Sequence, residues 1–491
     1  MPKQPNILIF MTDQERGDVL RPEHPCRTPN ASRLAAQGVQ FRQTFCPAAH
    51  CCPARATFMT GLYPSRHGVY NNVATATAIH SGLNEGVTTF SEGLRAAGYN
   101  LGYSGKYHIS AHENPSDRGW DDLLVYAGKR SVSPRTRIEH FRQLSQPERS
   151  PESRRPGEIL RPGWGDVTIY ETLPDGGPEG YEDSSDWTVV RKGIEGLRNY
   201  AAQDKPWCVF FGPNGPHDAF RVPKKFVDSY DLADIPLPPN YGDHMADKPH
   251  IYQRMRRQYW DQLTPDEVRD AVRHYWAYCT MEDVLFGEVL KALDETGQAD
   301  DTFVIRISDH GEYCGAHGLF CKGVPAFREA YHIPAIVRWP HGIENPGRTV
   351  EDFVTLADFA PTLLELAGAE APEPVSGRSL VPFLEGRQPT DWRDDVCSQF
   401  NGVELYYTQR SVTTREHKYV YNGFDFDELY DLRSDPHEMV NLSEHPDYQD
   451  VKRDLVRRMW RFAAREDDHV FNPYYTVAMA PWGPADALSG T

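Results

Sequence analysis

The 491-residue sequence predicts an α/β fold: a large, mostly parallel sheet sandwiched by helices, then a smaller C-terminal α+β subdomain with a short antiparallel sheet. Three observations carry this. Short β-rich runs alternate with helical patterns, which implies a parallel sheet with helices on both faces. The composition changes after about residue 385, where two strand-like runs and a closing helix follow one another. A hydrophobic share of 39% with 12% aromatic residues supplies a large core and excludes a disordered or collagen-like chain.

The elements follow in order. Ile7–Met11 is an unbroken apolar run and reads as a buried strand. Pro29–Gly38 reads as a helix ending in glycine, and Thr88–Ala97 as another, closed by Gly98. Asn100–Ser104, Trp207–Phe211, Phe303–Ser308 and Pro334–Arg338 read as strands. Long helices fit Asp186–Ala202, Pro265–Glu295 and Ala357–Leu366. Further on, Val403–Thr414 and His417–Tyr421 read as neighbouring antiparallel strands, and Asp447–Ala464 as the last helix, with Pro446 as its start signal. From Asp467 to Thr491 the apolar residues lack helical spacing, and Pro473, Pro481 and Pro484 interrupt them. That tail either docks, on this chain or another subunit, or stays mobile. The expected organisation is one large domain over 1–385 with an insertion at 129–185, a subdomain over 386–466 and a tail over 467–491. Length alone suggests about three domains.

With 52 Lys+Arg against 70 Asp+Glu the net charge is −18, a poor match for DNA, RNA or an anionic membrane. No run approaches the length of a membrane span, and no secretory signal precedes Ile7. The nine cysteines form no disulfide framework or paired zinc pattern, so reduced thiols in a cytoplasmic protein are expected. The segment 129–161 holds nine basic and four acidic residues. It reads as a solvated excursion or as a supplier of cations to a substrate.

The chemistry gathers around Cys51-Cys52-Pro53-Ala54-Arg55-Ala56-Thr57-Phe58-Met59-Thr60-Gly61. Cys51 precedes a helix start, where the positive end of the helix lowers the charge cost of an anion, and Arg55 adds a fixed cation. This stretch resembles the sulfatase signature Cys-x-Pro-Ser/Ala-Arg, and only Cys51 fits its frame because Cys52 has proline at +1. Two further stretches match in order: Gly98-Tyr99-Asn100-Leu101-Gly102-Tyr103-Ser104-Gly105-Lys106-Tyr107-His108, and Glu428-Leu429-Tyr430-Asp431-Leu432 followed by Asp435-Pro436 and Asn441-Leu442. The chain is therefore similar to type I, formylglycine-dependent sulfatases of the alkaline phosphatase superfamily, from residue 6 to about 466.

The resemblance implies an alkaline-phosphatase-like sheet and oxidation of Cys51 to formylglycine by a formylglycine-generating enzyme. One hydroxyl of the hydrated aldehyde attacks sulfur, and deprotonation of the other expels sulfate. It also implies a divalent metal held by Asp13, Gln14, Asp309, His310 and the modified Cys51. Calcium is the first expectation, with magnesium, manganese and zinc open, since Gln14 and His310 stand where many relatives carry aspartate and asparagine. Lys106 and His108 resemble residues that contact formylglycine and sulfate. His217 resembles a sulfate ligand and proton donor, and Lys322 a sulfate-binding lysine near the leaving oxygen. Asn72 is a weaker substrate candidate or a turn residue.

Phosphonate monoester hydrolases share Asp13-Gln14, Asn72 and Asp309-His310 but lack the Gly105-Lys106-x-His108 pair. Sulfate ester hydrolysis is the favoured activity, with phosphoester side activity. An inactive, sulfate-binding relative is the third alternative. The expected partner is a small-molecule or oligosaccharide sulfate ester, with Trp120, Trp164 and Tyr170 as candidate stacking aromatics and a homo-oligomer as a candidate assembly.

Overall fold

The computed structural model describes residues 4–129, 149–161, 165–403, 405–471 and 473–488. Its centre is a nine-stranded mixed sheet. The strands that build the site are β1 (Asn6–Thr12), β2 (Val39–Phe45), β3 (Asn100–Lys106), β4 (Asp121–Tyr126), β5 (Trp207–Gly212) and β6 (Thr302–Ser308). β1 lies between β6 and β5, and β3 lies between β5 and β4, all parallel. Beyond β6 come β7 (Ala335–Arg338), antiparallel, then β2, and then β8 (Arg348–Thr355), parallel to β2.

Alternation along β1 fills two layers. Ile7, Ile9 and Met11 face one core with Phe58, Phe90 and Phe359, while Leu8 and Phe10 face another with Val190, Leu197, Leu285 and Phe286. A strand buried on both faces reads as a continuous apolar run, so Ile7–Met11 was legible as one. The helices covering these faces are α1 (Pro29–Ala36), α2 (Cys51–Thr60), α3 (Phe90–Ala96), α4 (Ser185–Ala201), α5 (Pro265–Glu295) and α6 (Phe359–Leu366).

The C-terminal part is a four-stranded antiparallel sheet of β9 (Asp395–Phe400), β10 (Gln409–Thr414), β11 (His417–Asn422) and β12 (Glu428–Asp431). Helix α7 (Gln449–Arg465) packs Leu455, Val456, Met459 and Phe462 against Val412, Tyr419 and Leu429.

Several local expectations need correction. The strand expected over Val403–Thr414 begins only at Gln409; the backbone first turns through Gly402, with a φ of 82°. Gly38 is not a left-handed cap: Gln37 caps α1, and Gly38 is glycine because a Cβ there would lie 1.9 Å from Val337 O. The tail contains two short helices, α8 (Pro473–Met479) and α9 (Ala485–Leu488). It docks on α7, where Asp486 accepts from Arg457 Nε at 2.9 Å and Trp460 Nε1 donates to Trp482 O at 2.8 Å.

Trp120 is buried against Phe90, Tyr103 and Phe210, and Tyr170 packs on His274, so neither is free to stack on a sugar. Trp164 lies outside the described residues, as do residues 130–148 of the basic segment. The arginines that are described there are engaged internally. Arg149 bonds Glu158 and Asp166 at 2.8 Å, Arg154 bonds Glu267 at 2.6 Å, and Arg155 bonds Glu158 at 3.0 Å. All nine cysteines are free thiols. Among the described residues no helix is long and apolar enough to cross a membrane.

Candidate active site

In a parallel sheet the carboxyl ends of neighbouring strands open on one crevice. Here the register does the placing. Thr12 pairs with Ser308, so the next residues, Asp13 and Asp309, stand side by side. Gly105 pairs with Gly212, which brings Lys106 and the segment leading to His217 to the same edge. β2 runs in the same sense as β1 and β6, and the chain leaving it enters α2 at Cys51. Cys51 is the first residue of this ten-residue helix and Pro53 lies in its first turn, so the thiol sits at the positive end of the helix dipole.

Arg55, 1% exposed, ties the strand ends together. Its Nε donates to Asp309 Oδ2 at 2.7 Å, Nη2 to Asp13 Oδ2 at 3.1 Å and Nη1 to Lys106 O at 2.8 Å. Tyr103 OH donates to the same carbonyl at 2.7 Å. Lys106 Nζ reaches Asp13 Oδ2 at 2.7 Å and Cys51 Sγ at 3.6 Å. The thiol also lies 3.4 Å from His310 Nε2 and 3.8 Å from Asp13 Oδ1, and bonds the His108 side chain. Burial alone would raise the Cys51 thiol, but Lys106, Lys322 and His310 hold it well below its ordinary value.

Asp13, Cys51, Asp309 and His310 each offer a ligand atom within 4.8 Å of the others. His310 Nδ1 donates to Gly311 O at 2.9 Å, which orients the ring and turns Nε2 towards Asp13 and Cys51. Burial lowers the His310 value, yet Asp309 and the Cys51 sulfur raise it to about 9. Gln14 borders the group: its backbone N donates to Asp309 Oδ1 at 3.1 Å, while its side-chain amide bonds Lys322, Asp218 and Glu312. Two carboxylates, the residue-51 side chain and one correctly turned imidazole suit a hard to borderline divalent cation.

On the opposite side, Lys322 Nζ lies 2.7 Å from His217 Nε2 and 3.4 Å from Asp218 Oδ1, while His217 Nδ1 donates to Asp218 O at 2.5 Å. Burial lowers Lys322, but Asp218, Cys51 and Asp13 carry it above its ordinary value, so it stays cationic. Gln14, His108 and Cys321 have φ of 69°, 59° and 66°, which a non-glycine residue adopts only under constraint from its surroundings.

The structure thus brings together Asp13, Gln14, Cys51, Arg55, Lys106, His108, His217, Asp309, His310 and Lys322. Asn72 stands apart. Its Oδ1 accepts from Ala74 N at 3.0 Å and contacts the Cys52 thiol, the pattern of a turn residue.

Two residues that the motifs did not single out belong here. Asp218 accepts from Gln14 Nε2 at 3.0 Å. Glu312, fully buried, accepts from Gln14 Nε2 and, through Oε1, from Cys314 N at 3.0 Å and from Cys321 N. Asp218 follows His217 directly, and Glu312 lies three residues beyond Asp309, so sequence proximity was the available signal. A separate group, His317 with Glu329 and Glu438, is already balanced by Asn240, Lys418 and the Asp243–His317 bond of 2.7 Å.

Beside His217 opens a cavity of about 720 Å³, within the usual range for a small-molecule site. Among the described residues its charged lining is Asp166, Asp183, Asp186 and Asp218 with Arg221, which pairs with Glu171 at 3.1 Å.

The family model described as Sulfatase matches residues 5–369, and that of the N-sulphoglucosamine sulphohydrolase C-terminal region matches residues 315–465. The chain is 30% identical to the choline-sulfatase of Rhizobium meliloti over 473 residues, covering 90% of this chain and 83% of that one. It is 24% identical to the N-acetylglucosamine-6-O-sulfatase of Bacteroides thetaiotaomicron, covering 93% and 85%. The crystal structure of the phosphonate monoester hydrolase of Agrobacterium radiobacter superposes with a TM-score of 0.75 at 25% identity, over 94% of this chain and 96% of that one.

Proposed function

The chain belongs to the sulfatase family, a sulfuric ester hydrolase by that membership, and from this premise we propose that it cleaves the sulfate ester of a sugar at Cys51. The observation that carries the reading is the crowding of Lys106, His108, His310 and Lys322 around one buried thiol at a helix N-terminus, with Arg55 tying the neighbouring Asp13 and Asp309 together.

Each group then has a task. Converted to formylglycine and hydrated by one water, residue 51 would supply the nucleophilic hydroxyl, and loss of the proton from its second hydroxyl would expel sulfate and restore the aldehyde. A divalent cation would be held by Asp13, Gln14, Asp309 and His310 and would supply Lewis acidity there. Arg55 holds Asp13 and Asp309 together although their charges repel. Lys106 and His108 face the nucleophile and the sulfate. His217, when protonated at Nε2, gives that proton to the leaving alkoxide, while Lys322 beside it keeps its charge and meets the charge building on the sulfate oxygens.

The cavity beside His217 receives the alcohol. Its carboxylates favour a neutral or amine-bearing sugar over a polyanionic one, and the internal pairing of Arg149, Arg154 and Arg155 points the same way. A second reading, phosphonate monoester hydrolysis, is favoured by Gln14 and His310 in the metal group and by the likeness to the Agrobacterium radiobacter enzyme.

One experiment tests both. Protein matured with a formylglycine-generating enzyme is checked by mass spectrometry for conversion at residue 51. It is then assayed with aryl sulfate, neutral, amino and uronate sugar sulfates, and a phosphonate monoester. The highest kcat/KM is expected on a neutral or amino sugar sulfate; a phosphonate preference selects the second reading, and no conversion at residue 51 defeats the nucleophile.

A further inference from the structure

His217 sits on a segment without regular structure that leaves the end of β5, so something must fix its imidazole. Two buried carboxyl groups lie directly behind it. Asp186, the second residue of α4 and 1% exposed, accepts from Asn214 N at 2.7 Å and from Tyr278 OH at 2.8 Å. Glu282 follows Tyr278 by one turn of α5 and is fully buried; among the described residues no donor faces its carboxyl oxygens, and its polar neighbour is the Asp186 carboxyl. A Cβ on Gly215 would lie 2.2 Å from Glu282 Oε1 and 2.4 Å from Tyr278 Cε2, so glycine lets the backbone rest on this carboxyl. From the other side, Gly215 O accepts from Asp13 N at 3.1 Å. The segment that carries His217 is therefore gripped between β1 and the two carboxyls.

We propose that Asp186 and Glu282 are positioning residues that hold His217 against the leaving group. This rests on the reading of His217, beside Lys322, as the source of the leaving-group proton. A buried carboxyl whose polar neighbour is another carboxyl does not serve stability as well as an apolar residue at 282 would. What Glu282 adds is a proton. Two carboxyls in one apolar pocket do not both ionise. Burial and the neighbouring Asp186 hold Glu282 well above its ordinary value, and burial also raises Asp186 despite the donors that face it. The neutral Glu282 faces the anionic Asp186 and leaves one negative charge, which the Asn214 N–H and the Tyr278 hydroxyl meet. Arg306 and Glu15 lie behind the pair and Tyr126 beside it, donating to Gly212 O at 3.1 Å.

The test separates positioning from stability through the leaving group. A 4-nitrophenolate departs without a proton, whereas a sugar alkoxide requires one. Glu282→Leu is expected to lower kcat/KM for glucose 6-sulfate by about 10- to 100-fold and for 4-nitrophenyl sulfate by less than about 3-fold. Glu282→Gln, which keeps a donor towards Asp186, is expected to stay within about 3-fold of wild type on both substrates. Tyr278→Phe removes a single oxygen and folds readily; it is expected to show the same selectivity at about 3- to 10-fold. His217→Ala is the reference and must be selective for the sugar ester. If His217→Ala lowers both substrates alike, the reading of His217 fails and takes the proposal with it. If His217→Ala is selective but Glu282→Leu and Tyr278→Phe are not, or if Glu282→Gln is as poor as Glu282→Leu, only the positioning role is overturned.

Discussion

Two buried arginines organise two regions of this molecule in opposite ways. In the C-terminal part, Arg410 is saturated. Its Nε and Nη2 donate to the two oxygens of Asp468 at 2.6 and 2.9 Å, and Nη1 donates to Gln409 O at 2.8 Å. Gln399 Nε2 donates to the same carboxylate at 3.0 Å. One cation meets one anion and no charge is left over. Around Arg55 the account does not close. One guanidinium is shared by Asp13 and Asp309, while Lys106, His310 and Lys322 crowd the Cys51 thiol beside it. A closed cluster stabilises a fold, whereas an open one awaits a ligand.

The largest expected effect breaks the open cluster. Cys51→Ala removes the nucleophile and is expected to lower kcat by about 10⁴-fold or more. Its thermal midpoint should stay close to wild type, because the methyl group still fits the helix start. A variant with substantial turnover would mean that the thiol is not the precursor of the nucleophile. Next comes the closed cluster. Arg410→Met strands a buried Asp468 and is expected to remove about 3–5 kcal/mol of stability in denaturant unfolding. Activity per folded molecule should hardly change. Should Arg410→Met abolish kcat while the fold persists, the contrast between the two clusters is wrong.

How far the sequence showed this contrast can be argued from particular residues. Ile7–Met11 announced β1, and with it Asp13, because a strand buried on both faces cannot hide its composition. Cys51, Arg55, Lys106 and His108 lie in short motifs and were all legible. Asp186 was not, and Glu312 was marked only by its nearness to Asp309. Their roles come from chain segments about 100 or 300 residues apart, Glu312 through Gln14 and Asp186 through Tyr278, which no local pattern records. Arg410 reads as an ordinary strand arginine until Asp468 folds back on it. Pro473 was taken as a break although proline is common in a first helical turn, so the tail helices were missed. Trp120, one of the candidate stacking aromatics, is a core residue packed against Phe90, Tyr103 and Phe210 from three separate elements.

A divalent cation sharpens the comparison at a smaller scale. In the unconverted protein and without that cation, Asp309 and the Cys51 sulfur, against the pull of burial, hold the His310 imidazole up at about 9, so it carries a proton at pH 7. A metal takes the neutral imidazole, so binding is expected to release about one proton per site at pH 7. The sign follows: apparent affinity rises with pH, by up to about tenfold per unit, until the pH passes about 9, and is flat above it. Calorimetry in buffers of different ionisation enthalpy measures the proton count. Uptake of a proton, or none at pH 7, would remove His310 from the metal group.

The smallest effect concerns a largely buried ion pair of the closed kind. Arg154 donates to both oxygens of Glu267, and Glu267 is also the third residue of the capping box that opens α5 with Thr264. Burial raises the Glu267 value, but the Arg154 bonds and the backbone donors bring it down to about 2 from an ordinary 4.5. A depressed carboxylate stabilises the fold above its unfolded value and loses that contribution as the pH falls through the folded one. Arg154→Ala is therefore expected to destabilise by about 1–2 kcal/mol at pH 7, since it removes charged hydrogen bonds from a largely buried carboxylate to which Gly157 N and Thr264 N still donate. The difference from wild type should shrink as the pH is lowered from about 4.5 towards about 2. Turnover of a uronate-bearing sugar sulfate should be unchanged relative to a neutral one, since this guanidinium is spent on Glu267. A selective loss on the uronate substrate would return Arg154 to the substrate, and would make the basic segment part of the open cluster after all.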